Sequence, residues 1–170
     1  MPKDTVNQAF GDIAGMFNNT VILAGGYVRD SALGKEVKDA DFFAPFNILN
    51  GRTSTTLREQ GWERVRFSGY DRSPDIERVY RNTQRYELPV ELILVSRSPI
   101  KFVEKNFDWG VCKCYMKYNG DVVFTPHFQH DVEREVHTLH YDEKVHNAYT
   151  VLKHLKRISV KYPWTSEVKV

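Results

Sequence analysis

The sequence has few of the features that mark secreted, membrane-spanning or strongly nucleic-acid-binding proteins. Its only two cysteines, Cys112 and Cys114, stand too close together for a sensible disulfide bond, which fits a reducing cytoplasm. There is no signal-peptide pattern and no apolar run of membrane length, so we expect a cytoplasmic protein without a membrane partner. The formal net charge is only +2, which excludes a strong overall attraction to nucleic acids.

Lysine is missing from residues 52 to 85, although that stretch is rich in arginine. The eight arginines are Arg52, Arg58, Arg64, Arg66, Arg72, Arg78, Arg81 and Arg85. Guanidinium groups bind phosphate oxygens bidentately, whereas lysine acts as a point charge, so one interpretation is a phosphate-contacting surface. The other is a set of solvated strand and loop faces whose charge is offset by nearby acidic residues. The sequence alone leaves both interpretations open.

What is present is enough apolar sequence for one well-buried core. Of the 170 residues, 41% are hydrophobic, which predicts a single domain over residues 1–170. Apolar residues at helical spacing predict an amphipathic helix over residues 4–18. Asn119-Gly120, between two apolar runs, predicts a β-hairpin with a type I′ turn.

The last third of the chain has a mainly helical pattern and contains all six histidines. It ends in a predicted helix from Glu143 to about Val160, with Val145, Tyr149, Leu152 and Leu155 on its buried side. His137 and His140 have the i, i+3 spacing of a helical metal pair. Surface histidines on a helix are the commoner interpretation, because no cysteine or acidic cluster in this stretch completes a zinc site.

The segment from Ile22 to Phe43, ILAGGYVRDSALGKEVKDADFF, carries most of the chemical information. An apolar strand leads through the Gly25-Gly26 turn into a short helix, which lets backbone N–H groups approach phosphate. Asp39 and Asp41 follow at a spacing that places both carboxylates on one face of a strand. Two adjacent anions repel unless a cation lies between them, and carboxylate oxygens suit Mg²⁺. The segment therefore predicts a phosphate site beside a metal site, as nucleoside triphosphate chemistry requires.

Glu91 is the candidate for a third carboxylate at this site. It is a charged residue within the apolar run Leu88–Val95, where an unpaired anion would be unfavourable. One interpretation is a residue that completes the metal site and helps to deprotonate the attacking hydroxyl. The alternative is a glutamate at a strand edge that faces water or an arginine.

The Ile22–Phe43 segment resembles the nucleotide-binding signature of the DNA polymerase beta-type nucleotidyltransferase superfamily. It is most similar to the head domain of class II CCA-adding enzymes and bacterial poly(A) polymerases, whose pattern is GGxVRDxLLG followed by DxD. The matching residues are Gly25, Gly26, Val28, Arg29, Asp30, Leu33, Gly34, Asp39 and Asp41. The resemblance implies an α+β fold, with a mixed central sheet, helices packed on it and a C-terminal neck-like helix. It implies a catalytic palm over residues 4–126 and a helical C-terminal segment over residues 127–162.

The resemblance also implies roles for individual residues. Asp39, Asp41 and Glu91 would hold two Mg²⁺ ions, for which Mn²⁺ could substitute, and Glu91 would orient the acceptor hydroxyl. The residues expected to bind the nucleotide are Gly25, Gly26, Arg29, Asp30 and Asp108. Asp108 enters this set because the stretch from Asn106 to Cys112 is similar to the family's RRDFTINA motif, in which the aspartate helps to hold the nucleotide sugar and phosphates.

The sequence departs from the family at two motifs. Asn106 and Phe107 stand where the RRDFTINA motif has its two arginines. In the family's EDxxR motif, which reads the incoming base, the aligned stretch is Asp142–His146, with histidine in the place of arginine. The base preference of the family therefore does not transfer to this sequence.

Together these features predict a minimal nucleotidyltransferase in a bacterial or phage-infected cytoplasm. It would move a nucleoside monophosphate from an NTP, with ATP or CTP the expected donors, to an acceptor hydroxyl. By family analogy the acceptor is a tRNA-like RNA 3′ end. Because the resemblance does not include the family's tRNA-gripping domains, a protein or small-molecule acceptor is an alternative. A catalytically silent nucleotide-binding module is the third hypothesis.

Overall fold

The computed structural model of the protein describes residues 2–66 and 73–169. Arg72 and most of the predicted connection from Ser68 to Asp75 lie outside these residues, as does Phe67 at the end of a predicted strand. Within the described residues, no helix has both the length and the apolar character needed to cross a membrane.

A seven-stranded mixed sheet forms the centre of the described structure. The strands are β1 (Ile22–Ala24), β2 (Ala40–Pro45), β3 (Glu63–Val65), β4 (Ile76–Asn82), β5 (Val90–Val95), β6 (Cys114–Lys117) and β7 (Val122–Phe124). Their order across the sheet is β3-β4-β5-β2-β1-β6-β7. Strands β2 and β5 are parallel neighbours, and the other pairs in the sheet are antiparallel.

Six α-helices occur in the described residues and pack around this sheet. They are α1 (Pro2–Phe17), α2 (Gly26–Ala32), α3 (Gly51–Glu59), α4 (Pro99–Asn106), α5 (Pro126–Arg134) and α6 (Ala148–Lys161). The predicted helix over residues 4–18 is confirmed as α1, whose apolar residues lie in the core. This mixed sheet with packed helices confirms the predicted α+β fold class.

The sheet buries both of its faces, because alternate residues of each strand point in opposite directions. In β2, Phe42 belongs to the larger apolar cluster, which includes α1. Phe43 belongs to a second cluster, which includes Phe102 of α4. Burial on both faces explains why the central strands are nearly continuous apolar runs, and it makes a charged residue within them conspicuous.

The C-terminal third differs from the predicted all-helical segment. A parallel pair of strands, β8 (Val136–His140) and β9 (Thr165–Lys169), flanks α6. His137 and His140 therefore lie on a strand, and the prediction that they lie one turn apart on a helix is wrong. His137 is fully buried, and its Nε2 donates a hydrogen bond to the backbone carbonyl of Tyr162 at 2.8 Å. This long-range contact gives one ring nitrogen a partner inside the protein, whereas Nδ1 is buried without one.

The predicted buried side of the last helix is partly wrong, although Leu155 does pack against the core. Tyr149 and Leu152 are 71% and 60% exposed, whereas Val151 and Ile158 are buried. The helix begins later than predicted, at Ala148, after Asn147 accepts a hydrogen bond from the backbone N–H of Thr150. Several faces of this helix carry apolar residues, so its orientation depends on the surface against which it packs.

The predicted hairpin at Asn119-Gly120 is present, but its turn is not type I′. Gly120 has a φ of 93°, whereas Asn119 does not have a positive φ, and type I′ requires positive φ at both central residues. Lys117 donates its N–H to the carbonyl of Asp121, which leaves three residues in the loop. A three-residue loop needs only one left-handed position, and glycine supplies it.

Candidate active site

Two of the three predicted catalytic carboxylates occupy partner positions on neighbouring parallel strands. Asp41 of β2 is directly opposite Glu91 of β5, and both are partly buried. In-register neighbours point to the same face of a sheet, here the face that also bears Phe43. The predicted strand position of Glu91 inside an apolar run is confirmed, and the fold places it beside Asp41.

Asp39 lies one residue before β2 and is exposed. The hydrogen bond from Ala40 N–H to the carbonyl of Pro89 marks the first residue of the β2–β5 ladder, at 3.0 Å. The side chain of Asp39 is thus outside the part of the strand that the ladder fixes. Its predicted convergence with Asp41 and Glu91 on a metal stays a prediction.

An arginine from the next strand binds Glu91. Arg81 of β4 is the antiparallel partner of Glu91, and its Nε donates a hydrogen bond to Glu91 Oε1 at 3.0 Å, with Nη2 on the same oxygen. Only 13% of the Glu91 side chain is exposed, against 48% for Arg81. The carboxylate pair therefore already attracts a cation, and its oxygen donors fit the hard ions Mg²⁺ and Mn²⁺.

The Gly25-Gly26 turn connects β1 to α2 beside this face. Gly25 has a φ of 74°, a left-handed conformation that glycine adopts without a Cβ penalty. A Cβ at Gly25 would also lie 3.5 Å from Cε2 of Phe107, whose ring packs 5.6 Å from the centroid of Phe43. The turn is thus close to the sheet face that bears Asp41, as the predicted phosphate site requires.

Arg29 and Asp30, predicted to bind the nucleotide, have partners inside the protein. They are 6% and 3% exposed, and Arg29 Nε donates to Asp30 Oδ1 at 2.7 Å. At the end of α6, Lys161 Nζ donates to Asp30 Oδ2 at 2.5 Å and the Tyr162 hydroxyl donates to Asp30 Oδ1 at 2.8 Å. These contacts fasten α2 to α6, and nucleotide contacts by Arg29 and Asp30 stay a prediction.

Electrostatics favour the charged forms of this pair. Burial acts to raise the pKa of Asp30, but hydrogen bonds from Arg29 and Lys161 outweigh it and hold that pKa below its usual range. Burial likewise opposes the charge on Arg29, yet the nearby Cys112 sulfur and Asp30 carboxylate raise its pKa. The pair is an ion pair whose stability depends on both partners being present.

Asp108, the last predicted nucleotide-binding residue, contacts a histidine of α6. His154 Nδ1 donates to the carboxylate of Asp108, 3.0 Å from each oxygen, and His154 Nε2 lies 3.8 Å from Cys112 Sγ. The thiol sulfur also accepts a hydrogen bond from Arg29 Nη1 at 3.3 Å. Cys112 and His154 were not predicted as site residues, because 42 positions separate them and no local pattern relates them.

The charges of this group follow from its contacts. Burial acts against the charged form of His154, but the Cys112 sulfur and the Asp108 carboxylate together raise the pKa of His154 to about 10. Burial also acts to raise the pKa of Asp108, but the hydrogen bond from His154 lowers it. Of residues 2–66 and 73–169, these are the only three acidic, cysteine or histidine side chains whose ligand atoms all lie within 4.8 Å of one another.

No family model matches the chain, and no curated protein matches it in sequence. Solved structures are nevertheless similar to it in fold. A structure described as a tRNA-processing enzyme in an apo form has a TM-score of 0.65 at 18% identity, over 96% of this chain and 43% of that chain. For the Thermotoga maritima CCA-adding enzyme complexed with tRNA, the TM-score is 0.59 at 19% identity, over 96% of this chain and 38% of that chain.

The Bacillus stearothermophilus CCA-adding enzyme in complex with CTP gives a TM-score of 0.59 at 12% identity, over 93% of this chain and 40% of that chain. This chain therefore spans about two fifths of the length of the solved proteins to which it is similar. The fold that the resemblance implied is confirmed, because these tRNA-processing and CCA-adding enzymes share it over nearly the whole of this chain.

Proposed function

We propose that the protein is a metal-dependent nucleotidyltransferase that transfers a nucleoside monophosphate from an NTP to the 3′ end of an RNA. The observation that carries the proposal is the in-register pair Asp41 and Glu91, which lies beside the Gly25-Gly26 turn. This pairing occurs in a fold shared with part of the known CCA-adding enzymes. Carboxylates close to a phosphate-accessible turn are what nucleotidyl transfer needs.

Each part of the proposed site has a separate task. Asp41 and Glu91, with Asp39 just before the strand, would hold two Mg²⁺ ions. Bound Mg²⁺ would supply charge neutralisation on the triphosphate and alignment of the attacking and leaving oxygens. Backbone N–H groups of the Gly25-Gly26 turn would bind the phosphates, and Glu91 would orient the acceptor hydroxyl.

The remaining predicted residues act at the edges of this site. Arg29 and Asp30 would hold the helix that follows the turn in position through their buried ion pair. Asp108 would contact the nucleotide sugar, which requires release of its hydrogen bonds from His154. Arg81 would leave Glu91 when a metal ion takes its place, because both cations compete for the same oxygen.

RNA is the acceptor that the similar structures favour. Solved relatives in fold are described as complexed with tRNA, with CTP, or with a primer tRNA and an incoming ATP analogue. ATP and CTP are therefore the donors to try first. A protein or small-molecule acceptor is the second candidate, because a likeness at 19% identity shows the fold and does not determine the acceptor.

Transfer of label from [α-³²P]NTP to tRNA that lacks its 3′ terminal nucleotides tests the proposal. Glu91→Gln should reduce transfer by at least about 100-fold, the size of effect found when one preorganised charge-stabilising group is removed. Glu63→Gln is the matched control. Glu63 and Glu91 are the two cross-strand neighbours of Arg81 in the sheet, but only Glu91 is opposite Asp41. Equal rates for Glu91→Gln and the unaltered protein would refute the assignment.

A digestion experiment separates the two acceptor classes. After incubation of the protein with labelled NTPs and cell extract, RNase should remove the transferred label if RNA is the acceptor. Label that survives RNase and is lost after protease treatment would instead support a protein acceptor. Absence of Mg²⁺-dependent pyrophosphate release under all these conditions would support the catalytically silent module.

A further inference from the structure

Three side chains with different donor atoms meet between the sheet and α6, apart from the carboxylate pair. They are Asp108, Cys112 and His154, hereafter the Asp–Cys–His cluster. The His154 imidazole lies in the middle, 3.0 Å from the Asp108 oxygens and 3.8 Å from the Cys112 sulfur. The Asp108 and His154 side chains are 14% and 25% exposed, so an ion can reach the cluster, whereas Cys112 is buried.

The backbone holds these side chains in place independently of one another. The carbonyl of Asp108 accepts the N–H of His140 from β8 at 2.8 Å, and Cys112 N–H donates to the Trp109 carbonyl at 2.9 Å. Trp109 Nε1 donates to the carbonyl of Val151 at 3.1 Å, which positions α6 and therefore His154. Contacts with β8, Trp109 and α6 thus position the cluster before an ion binds.

The distances are close to those of a metal site. Ligand atoms of tetrahedral zinc, about 2.0 to 2.3 Å from the ion, lie roughly 3.3 to 3.8 Å apart. The ligand atoms here lie within 4.8 Å of one another, so a contraction of about 1 Å would bring them to a common ion. Side-chain rotation of Asp108 and His154, the two partly exposed members, can supply that contraction.

The donor set selects the class of ion. A thiolate with an imidazole and a carboxylate favours Zn²⁺ or Co²⁺ over Mg²⁺, which prefers oxygen ligands alone. The N–H of Arg29 directed at the sulfur is the kind of supporting hydrogen bond that orients a metal-bound thiolate. Three protein ligands leave the fourth tetrahedral position to water.

We propose that Asp108, Cys112 and His154 form a transition-metal site of the zinc class that joins α6 to the sheet. Binding displaces the Cys112 thiol proton and the proton that His154 shares with Asp108, and both protons go to solvent. The ion replaces a hydrogen-bonded contact between α6 and the sheet with metal–ligand bonds. This site differs from the Asp41–Glu91 pair in donor atoms and preferred ion. It shares Asp108 with the proposed sugar contact, so a bound ion and a nucleotide sugar would compete for that carboxylate.

Cobalt titration of the full chain, treated with chelator and kept reduced without competing thiols, tests the site. We expect one thiolate-bound Co²⁺ per chain, with the near-ultraviolet absorption of a cobalt–thiolate bond and the visible bands of a tetrahedral ion. Zn²⁺ should abolish both signals and a large excess of Mg²⁺ should not. Titration that gives no cobalt–thiolate absorption overturns the proposal.

The second cysteine offers a matched control. Cys114 is also buried and free, but its thiol donates to the Gly25 carbonyl at 3.9 Å and it is not a member of the Asp–Cys–His cluster. Cys112→Ser should abolish the thiolate band, and Cys114→Ser should retain it. His154→Gln should weaken Co²⁺ binding by more than about 10-fold, since loss of a supporting residue alone has that effect.

Two further outcomes would also overturn the proposal. One is a thiolate band that Cys114→Ser removes and Cys112→Ser leaves. The other is Co²⁺ affinity unchanged in a folded His154→Gln variant, with folding checked by circular dichroism. Glu91→Gln should leave the cobalt spectrum unaltered, so failure of this proposal and failure of the proposed nucleotidyl transfer are separate results.

Discussion

The contact between Gly110 and Asp131 gives a sharp test of the packing beneath the site. The Asp131 carboxylate has no exposed surface, and its Oδ2 accepts the backbone N–H groups of Val111 at 3.0 Å and Thr138 at 2.9 Å. A Cβ on Gly110 would lie 2.6 Å from that oxygen. Gly110 does not have a positive φ, so steric overlap with Asp131 is the reason to expect alanine to destabilise the fold.

The free energies can be estimated from these contacts. Gly110→Ala should lower the free energy of unfolding by about 1–3 kcal/mol, as overpacked core substitutions do. Asp131→Ala leaves two buried N–H groups without an acceptor, at roughly 1–3 kcal/mol each. Relief of the buried charge offsets part of this loss. For Asp131→Ala we therefore expect the free energy of unfolding to fall by about 2–4 kcal/mol, or the Tm to fall by roughly 5–15 °C.

A double-mutant cycle in urea measures the coupling. Asp131→Ala removes the oxygen that an alanine at position 110 would strike, so Gly110→Ala should be nearly neutral in that background. The expected coupling is at least about 1 kcal/mol. Gly15→Ala is the control, because no atom lies within 4 Å of a Cβ there and alanine should stabilise α1. Additivity of the Gly110 and Asp131 substitutions within about 0.5 kcal/mol would refute the reasoning.

Two further predictions concern the charged groups. Arg81→Gln should strengthen Mn²⁺ binding by roughly 1.5- to 5-fold, because a half-exposed ion pair with Glu91 contributes roughly 0.2–1 kcal/mol. Electron paramagnetic resonance measures this binding. Weaker Mn²⁺ binding in the variant would contradict competition between the arginine and the metal. The pKa of Asp30 is lowered in the folded protein. Its contacts with Arg29 and Lys161 therefore stabilise the fold fully at pH values above the ordinary aspartate pKa of about 3.9. This stabilisation is lost as the pH falls through the lower pKa of the folded state. Asp30→Asn should therefore flatten the decline of Tm in acid, and an unchanged acid limb would exclude this role.

Local sequence was sufficient for much of the fold near the candidate site. The strand, the Gly25-Gly26 turn and the helix that follows are encoded within the eleven residues 22–32, where apolar runs and glycine decide the backbone. The position of Glu91 within a strand could likewise be predicted from the apolar residues around it. Pro89 explains why that strand begins only at Val90, since proline has no N–H to donate to a ladder.

Long-range packing decided what the local pattern did not contain. Residues 136–169 form two strands and a helix in place of the predicted helical tail. The β8–β9 pairing and the hydrogen bond from His137 to Tyr162 join residues 25 or more positions apart, so no local pattern contains them.

The sequence by itself determined which carboxylates were candidates for metal chemistry, because charge within an apolar strand is conspicuous. The prediction for Glu91 anticipated that it lies beside the aspartates, but the in-register pairing with Asp41 depends on tertiary structure, since it joins segments 50 positions apart. It also decided that Arg29 and Asp30 are buried against Tyr162, and that His154 meets Asp108 and Cys112. The physical reason is that spacing along a strand or helix fixes direction only within that element, whereas the partner of a side chain depends on how the elements pack.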